Sequence, residues 1–352
     1  MTSISASGRF ALVTGATGLL GSHMAERLVA RGDRVRAFVR PSSDTRLLRE
    51  SSIELVVGDL ANPEDCRRAV AGVDVVYHSA AKVGDWGRWV DFQTGCLDAT
   101  SNLAAAAAAE GVERFVQISS TSAYGHPVEG GPAIDETAEL GQNLWPIWDY
   151  YTISKVECER ILWRAAELDG LRLSIIRPSW LYGERDRTTT ARLVQRIRAG
   201  KVPLIGRGDN PLSAIYAGNV ADAALLAADD PNSVGEAYNV TSMGPISQRD
   251  WLDLFADACG AARPTRHVPY RLVFGVSLGL EAFGRAIRRE RPPLITRYAT
   301  WLMGRELSYS TAKAEAKLGW RPALSYRESI ERTVRWYLAT QTKASPPPQT
   351  YP

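Results

Sequence analysis

At 352 residues, 45% hydrophobic and 23% charged, the chain has material for one large domain, or for a main domain with a smaller lobe, around an ordinary core. A formal net charge of +3 with no long basic run argues against nucleic acid as a partner. The four cysteines, Cys66, Cys96, Cys158 and Cys259, form no CxxC pair and no Cys/His cluster, which argues against a disulfide scaffold or a metal site and fits a reducing cytoplasm.

The start, "MTSISASGRFALVTG", lacks the charged and apolar regions of a signal peptide, and no apolar run reaches the ~18 residues that span a bilayer. From there the first half alternates strands and helices. "RFALVTG" predicts a strand, "GSHMAERLVARG" a helix, "RVRAFVR" and "IELVVGD" strands, and "PEDCRRAVAG" a helix. "VDVVYHSAA" predicts a strand, "CLDATSNLAAAAAAEG" a long Ala-rich helix, "ERFVQISS" a strand, "YYTISKVECERILWRAAELDG" a helix and "LRLSIIRP" a strand. Alternation of this kind predicts an α/β fold, a doubly wound parallel (Rossmann) sheet covered on both faces. The expected division is a dinucleotide-binding domain over 1–178 with a return over about 213–240. A substrate lobe over 179–212 and 241–340 and a disordered, Pro-rich tail over 341–352 complete it.

"VTGATGLLG" places Gly15, Gly18 and Gly21, with Thr17, Leu19 and Leu20 between and beside them, directly between the first strand and first helix. Glycine allows a tight turn and close approach of the backbone to a pyrophosphate, and the helix N-terminus supplies free N–H groups. The spacing is GxxGxxG rather than GxGxxG. At the head of a βαβ unit it predicts dinucleotide binding, with a ligand-free turn as the plainer reading. The second strand ends in Val39 and Arg40 where NAD binders carry an acidic residue. A guanidinium can grip a 2′-phosphate bidentately, so NADP(H) is expected over NAD(H); a solvated strand end is the other reading of Arg40. Asp59 and Leu60 end the third strand, and Ser79, Ala80, Ala81 and Lys82 follow the fourth, all toward the same crevice. His78 reads as a structural histidine rather than a base.

In a helix Tyr151 and Lys155 are four residues apart and share a face, whereas Tyr150 and Lys155 diverge by about 140°. An ammonium beside a phenol favours the phenolate form, which suits a general acid/base for alcohol–ketone interconversion.

The motifs TGxxGxxG, GDL, HxAA, "SSTSAYG", Tyr-x-x-x-Lys and "RPxxxYG" occur in that order. Together they resemble the extended short-chain dehydrogenase/reductase family (epimerase/dehydratase-like) from about Phe10 to Tyr337. The resemblance implies Tyr151 as proton-exchanging residue, Lys155 on the nicotinamide ribose, and Ser120 on the substrate oxygen. It also implies Ser119 toward the cofactor, Pro178 near the nicotinamide carboxamide, and a homodimer. Cys96 stands where the family often has Asn, "YGER" replaces "YGP", and Gly218 stands where Asp is common.

Three reaction classes follow from the resemblance: dehydration, epimerisation and net oxidoreduction. Thr121 and Ser122 after Ser120 disfavour dehydration. The second half, "HVPYRLVFGVSLGLEAFGRAIRRERPPLITRYATWLM", resembles the 3β-hydroxysteroid dehydrogenase branch, which includes reductases of 2-alkyl-3-keto acids and sterol-carboxylate dehydrogenases. It implies an oxidoreductase acting on a small hydrophobic 3-hydroxy or 3-keto substrate. A nucleotide-sugar epimerase with retained NAD and a non-catalytic dinucleotide sensor are the alternatives. Segment 272–291 has an apolar body ending in Arg285, Arg288, Arg289 and Arg291. Either it lies peripherally on the inner membrane face or it is a core helix with a solvated basic end.

Overall fold

The computed structural model describes residues 8–186, 189–241 and 244–344. The main-sheet strands of the first half are β1 (Phe10–Thr14), β2 (Arg34–Val39), β3 (Glu54–Val57), β4 (Val75–His78), β5 (Arg114–Ile118) and β6 (Leu173–Pro178). Two short pairs follow, β7 (Trp180–Tyr182) with β9 (Ala214–Tyr216) and β8 (Leu204–Ile205) with β11 (His267–Val268). Strand β10 (Glu236–Val240) returns to the main sheet.

The order β3-β2-β1-β4-β5-β6-β10 is wholly parallel. Parallel strands covered on both faces need apolar side chains on both sides, and β4, β5 and β6 are buried along their entire length. The chain leaves β1 toward β2 and returns beside it as β4, so the order reverses there and opens a crevice at the strand ends. Register makes that crevice level: Thr14 lies beside both Phe38 and His78, and His78 beside Gln117.

One face of the sheet packs on the helices Leu19–Arg31 and Ala217–Asp229, the other on Pro63–Val70, Ala99–Glu110 and Tyr150–Leu168. A third core, around Tyr182, Trp251, Phe255 and Val334, belongs to the second lobe. Ala314, Leu318 and Trp320 sit in the first of these cores, with the Trp320 indole N–H donating to the Asn219 carbonyl at 2.9 Å. That stretch therefore packs with the sheet rather than with the substrate lobe expected over 241–340. The last helix runs Tyr326–Ala344, past the expected start of the tail at 341; residues 345–352 lie outside the described residues.

Candidate active site

The glycine loop turns at Gly15, where φ is +69°; a Cβ there would lie 2.9 Å from the Ala80 backbone nitrogen. A Cβ on Gly21 would lie 2.2 Å from the Gly15 carbonyl, so the helix Leu19–Arg31 can start against the loop only with glycine at both positions. Gly18 is exposed at the helix N-cap, Thr17 and Leu19 are half-buried, Leu20 is buried, and the first turn carries no acidic side chain. This cradle of backbone and free N–H groups at a helix N-terminus fits a dinucleotide pyrophosphate.

The adjoining strand end is fixed by a hydrogen-bond chain. The Thr14 hydroxyl accepts from the N–H groups of Ser79 and Ala80, both at 3.1 Å, so its own proton goes to His78 Nδ1 at 2.7 Å. His78 Nε2 then donates to Thr100 at 3.1 Å, whose hydroxyl reaches Cys158 Sγ at 3.6 Å. Burial, with the Lys155 charge nearby, pushes His78 down to about 3. A neutral, fully partnered imidazole is a bracket for the Ser79–Ala80 turn and not a base.

Arg40 is exposed just past β2, its backbone N–H donating to the Ser43 hydroxyl at 3.1 Å. Asp59 is exposed and caps its own turn, accepting from the Ala61 N–H at 3.0 Å; Leu60 is buried below it. The Lys82 N–H donates to Cys96 Sγ at 3.2 Å, and Ala81 packs against the cluster of Phe92, Cys96 and Cys158. Cys96 lies in a π-helical stretch, Gln93–Asp98, and so replaces the expected asparagine with a thiol that anchors the strand end.

Ser119 and Ser120 follow β5 and separate there. The Ser119 hydroxyl donates inward to Glu159, which corrects its expected orientation toward a cofactor. Ser120 caps the 3₁₀ turn Thr121–Tyr124, its half-buried hydroxyl accepting from the Ser122 N–H at 3.1 Å and keeping its proton to donate. Tyr151 and Lys155 lie in the first two turns of the helix Tyr150–Leu168, with the ammonium 5.9 Å from the Tyr151 ring centre. The buried Lys155 ammonium also reaches the Ile118 carbonyl at 3.5 Å. Tyr150 packs instead on Trp89 and Phe92 at 5.6 and 6.1 Å. Pro178 ends β6, buried beside Val240.

Beneath these groups lies a buried ion pair that sequence reading missed. Arg177 grips Glu159 with Nε at 3.0 Å and Nη2 at 2.7 Å, and donates to the Tyr124 hydroxyl at 2.8 Å, which donates to Asn239. Glu159 continues the 151, 155, 159 series, one further turn along the face that carries Tyr151 and Lys155, and that period was the available signal. No such signal marks Tyr298, which comes from the helix Arg297–Gly304 and meets the Tyr151 ring edge-on at 5.6 Å. Burial and the neighbouring Tyr151 hold the Tyr298 phenol well above its ordinary value, so it stays protonated. Asp85 is likewise raised by burial, and its Oδ2 has no partner.

Two family departures have local causes. A side chain at 218 would strike the Tyr216 ring at 2.2 Å, so glycine is required there. In "YGER", Glu184 accepts from Arg332 of the last helix and Arg185 donates to Glu26, tying the two lobes.

The helix Tyr270–Ala286 buries only Ser277, Glu281 and Gly284. One apolar side faces outward: Leu272 is 61% exposed, Val276 50% and Phe283 64%, with Ile287 just beyond at 56%. This overturns the core-helix reading. Arg285 departs from its expected place among the solvated arginines: it points inward, 4.6 Å over Trp86, 4.9 Å over Trp148 and 5.5 Å over Tyr150. Arg288, Arg289 and Arg291 stay exposed.

Residues 11–241 match the model of the NAD dependent epimerase/dehydratase family. The chain is 30% identical over 328 residues to a 2-alkyl-3-oxoalkanoate reductase of Stenotrophomonas maltophilia, covering 91% of this chain and 97% of that one. It is 30% identical over 341 residues to a 3-beta-hydroxysteroid dehydrogenase of Mycolicibacterium neoaurum, covering 93% and 90%. The crystal structure of a UDP-glucuronic acid 4-epimerase from Bacillus cereus in complex with NAD superposes with a TM-score of 0.72 over 94% of this chain and 99% of that one. At 21% identity it shares the fold alone.

Proposed function

The chain belongs to the NAD dependent epimerase/dehydratase family and is a nicotinamide-dependent oxidoreductase, and we propose that it interconverts a secondary alcohol and a ketone on a hydrophobic 3-hydroxy or 3-keto substrate. The substrate class we favour is a sterol-like molecule or a long-chain 3-keto acid. The reading is supported by Tyr151 and Lys155 on one helix face, with the Lys155 ammonium 5.9 Å from the Tyr151 ring centre and 3.5 Å from the Ile118 carbonyl, at the end of the strand that Ser120 follows.

When bound, the dinucleotide supplies or accepts the hydride. The loop Gly15–Gly21 would hold its pyrophosphate, and the ends of β2, β3 and β4 (Arg40, Asp59, Leu60, Ser79 to Lys82) would flank the rest of it, with Pro178 and Lys155 toward the nicotinamide. In the reducing direction the Tyr151 phenol gives its proton to the substrate oxygen as negative charge develops there, and in the oxidising direction it takes that proton back. The Lys155 ammonium stabilises the transient phenolate. Ser120 donates its free proton to the same oxygen and orients it.

Arg40 favours NADP(H), since it offers a free guanidinium and no carboxylate at the ribose-facing strand end. The exposed apolar stripe from Leu272 to Ile287, flanked by Arg288, Arg289 and Arg291, supports peripheral contact with an anionic membrane surface. Among the described residues no helix is long and apolar enough to cross a membrane. The family pattern of helix pairing supports a homodimer, and Ser120, Tyr151 and Lys155 together weigh against a sensor without turnover.

A screen of sterols, 3-keto acids and UDP-sugars, followed through the absorbance of reduced nicotinamide, tests the reading. Turnover confined to UDP-sugars, by protein purified with retained NAD, would replace it with epimerisation.

A further inference from the structure

A groove of about 360 Å³, lined in part by Trp301 of the helix that also carries Tyr298, opens to the surface. His126, Val128, Trp145, Tyr270, Phe274 and Trp301 form its wall. That wall is continuous with the catalytic centre. Tyr151 meets Tyr298 at 5.6 Å, Tyr298 meets Trp301 at 5.9 Å, and Trp301 meets His126 edge-on at 4.6 Å. His126 stacks on Trp145 at 4.0 Å, and Trp145 meets Phe274 at 5.9 Å. A second tie fixes the same register, because His126 Nε2 bonds the Asp149 carboxylate at 2.9 Å and Asp149 immediately precedes the catalytic helix.

We propose that this groove binds the distal apolar portion of the substrate, a flexible alkyl chain, while its oxygen-bearing end lies at Tyr151. The proposal rests on the oxidoreductase reading above. Three features select such an occupant. The volume lies at the low end for a small-molecule site, and Trp145, Tyr270, Phe274 and Trp301 give it an aromatic side, with Glu129, Asn143 and Arg305 lining the rest. The rim charges are spent on each other: Arg305 pairs with Glu129 and lies 4.5 Å over Tyr270, so the mouth offers no free charge to an anionic group. Finally, Tyr270 and Phe274 belong to the helix whose opposite, exposed face carries Leu272, Val276 and Phe283, so the groove lies one helix away from the apolar stripe.

The test uses the full chain with straight-chain 3-keto acids of increasing length, and separately a fatty acid brominated near its methyl end, which quenches tryptophan on contact. The expected result is a kcat/KM that climbs by roughly fourfold per added methylene until the groove is filled. Saturable quenching is also expected, with a large part of it lost in Trp145→Phe. Val128→Glu changes a side chain that is 79% exposed and so leaves folding intact. It should weaken the brominated chain by on the order of tenfold and flatten the rise of kcat/KM with chain length.

Turnover that is flat with chain length, or quenching indifferent to both variants, would overturn the groove assignment while leaving the reaction intact. Quenching that responds to both variants, with no keto acid reduced, would uphold the groove and remove the reaction instead. Quenching that appears only above a protein concentration at which the chain self-associates would give the groove to a second copy and overturn the proposal.

Discussion

The Tyr298 ring stands at 70° to the Tyr151 ring with centroids 5.6 Å apart, so a helix of the second lobe sets the plane of the proposed proton-exchanging phenol. Tyr151→Phe should lower kcat by about 10² to 10⁴ fold while leaving cofactor affinity nearly unchanged. Tyr150→Phe should stay within a few fold, because that ring packs on Trp89 and Phe92. Steady-state kinetics with a titration of NADPH fluorescence separates the two, and a larger loss at position 150 would reverse the assignment.

Arg40 is the test of cofactor preference. Arg40→Ala should raise KM for NADP(H) by roughly ten- to a hundredfold and change KM for NAD(H) little, since only the 2′-phosphate is a bidentate partner for the guanidinium. Equal effects on both cofactors would remove the phosphate role.

Removing one partner of a buried ion pair leaves the other charged and unpaired, at a cost of about 3 to 5 kcal/mol. Glu159→Ala should therefore be severely destabilising in urea unfolding, since Arg177 and the Ser119 hydroxyl both depend on that carboxylate. The double change Glu159→Leu with Arg177→Met should recover much of the loss. A double variant no more stable than the single would mean the pair does more than neutralise itself.

The His78 bracket predicts an acid limb of stability. In the fold its imidazole stays neutral down to about 3, whereas the unfolded chain takes up that proton near 6.5. Between those values the unfolded state binds more protons, so this contribution is complete above about 6.5 and lost as pH falls, by at most about 1.4 kcal/mol per unit. Replacing His78 with glutamine, which does not titrate, should flatten that limb in denaturant titrations at pH 7, 5.5 and 4, taken here as roughly spanning the window. An unchanged slope would mean that other groups, such as buried His23, set the acid sensitivity.

The outward stripe of the helix Tyr270–Ala286 is testable with vesicles. Phe283→Asp with Leu272→Asp should abolish co-sedimentation with anionic vesicles without loss of thermal stability, both side chains being largely exposed. Neutralising Arg288, Arg289 and Arg291 should weaken it by about 1 kcal/mol per charge. Binding that survives all five changes would place the contact elsewhere.

Much of the catalytic half was legible because its signals are local. The strand–helix alternation, the glycines between β1 and its helix, and the four-residue spacing of Tyr151 and Lys155 each follow from backbone geometry within one or two turns. Ser119 was misread because its partner Glu159 lies 40 residues away, and a hydroxyl follows its hydrogen-bond partner rather than its neighbours in sequence. Arg285 was misread for a related reason: hydrophobicity and charge counted along a helix do not reveal that Trp86, Trp148 and Tyr150 converge on one guanidinium.

The sequence by itself thus determined the parallel sheet, the glycine turn before the first helix and the shared helix face of Tyr151 and Lys155, because period and steric demand act over a few residues. Only the tertiary structure decided that the Ser119 hydroxyl turns to Glu159, that His78 is a neutral bracket, that the helix Tyr270–Ala286 turns an apolar side outward, and that Tyr298 closes on Tyr151. Those choices depend on burial and on contacts between segments far apart in the chain, 40 residues for Ser119 with Glu159 and 64 for His78 with Thr14, which no local pattern encodes.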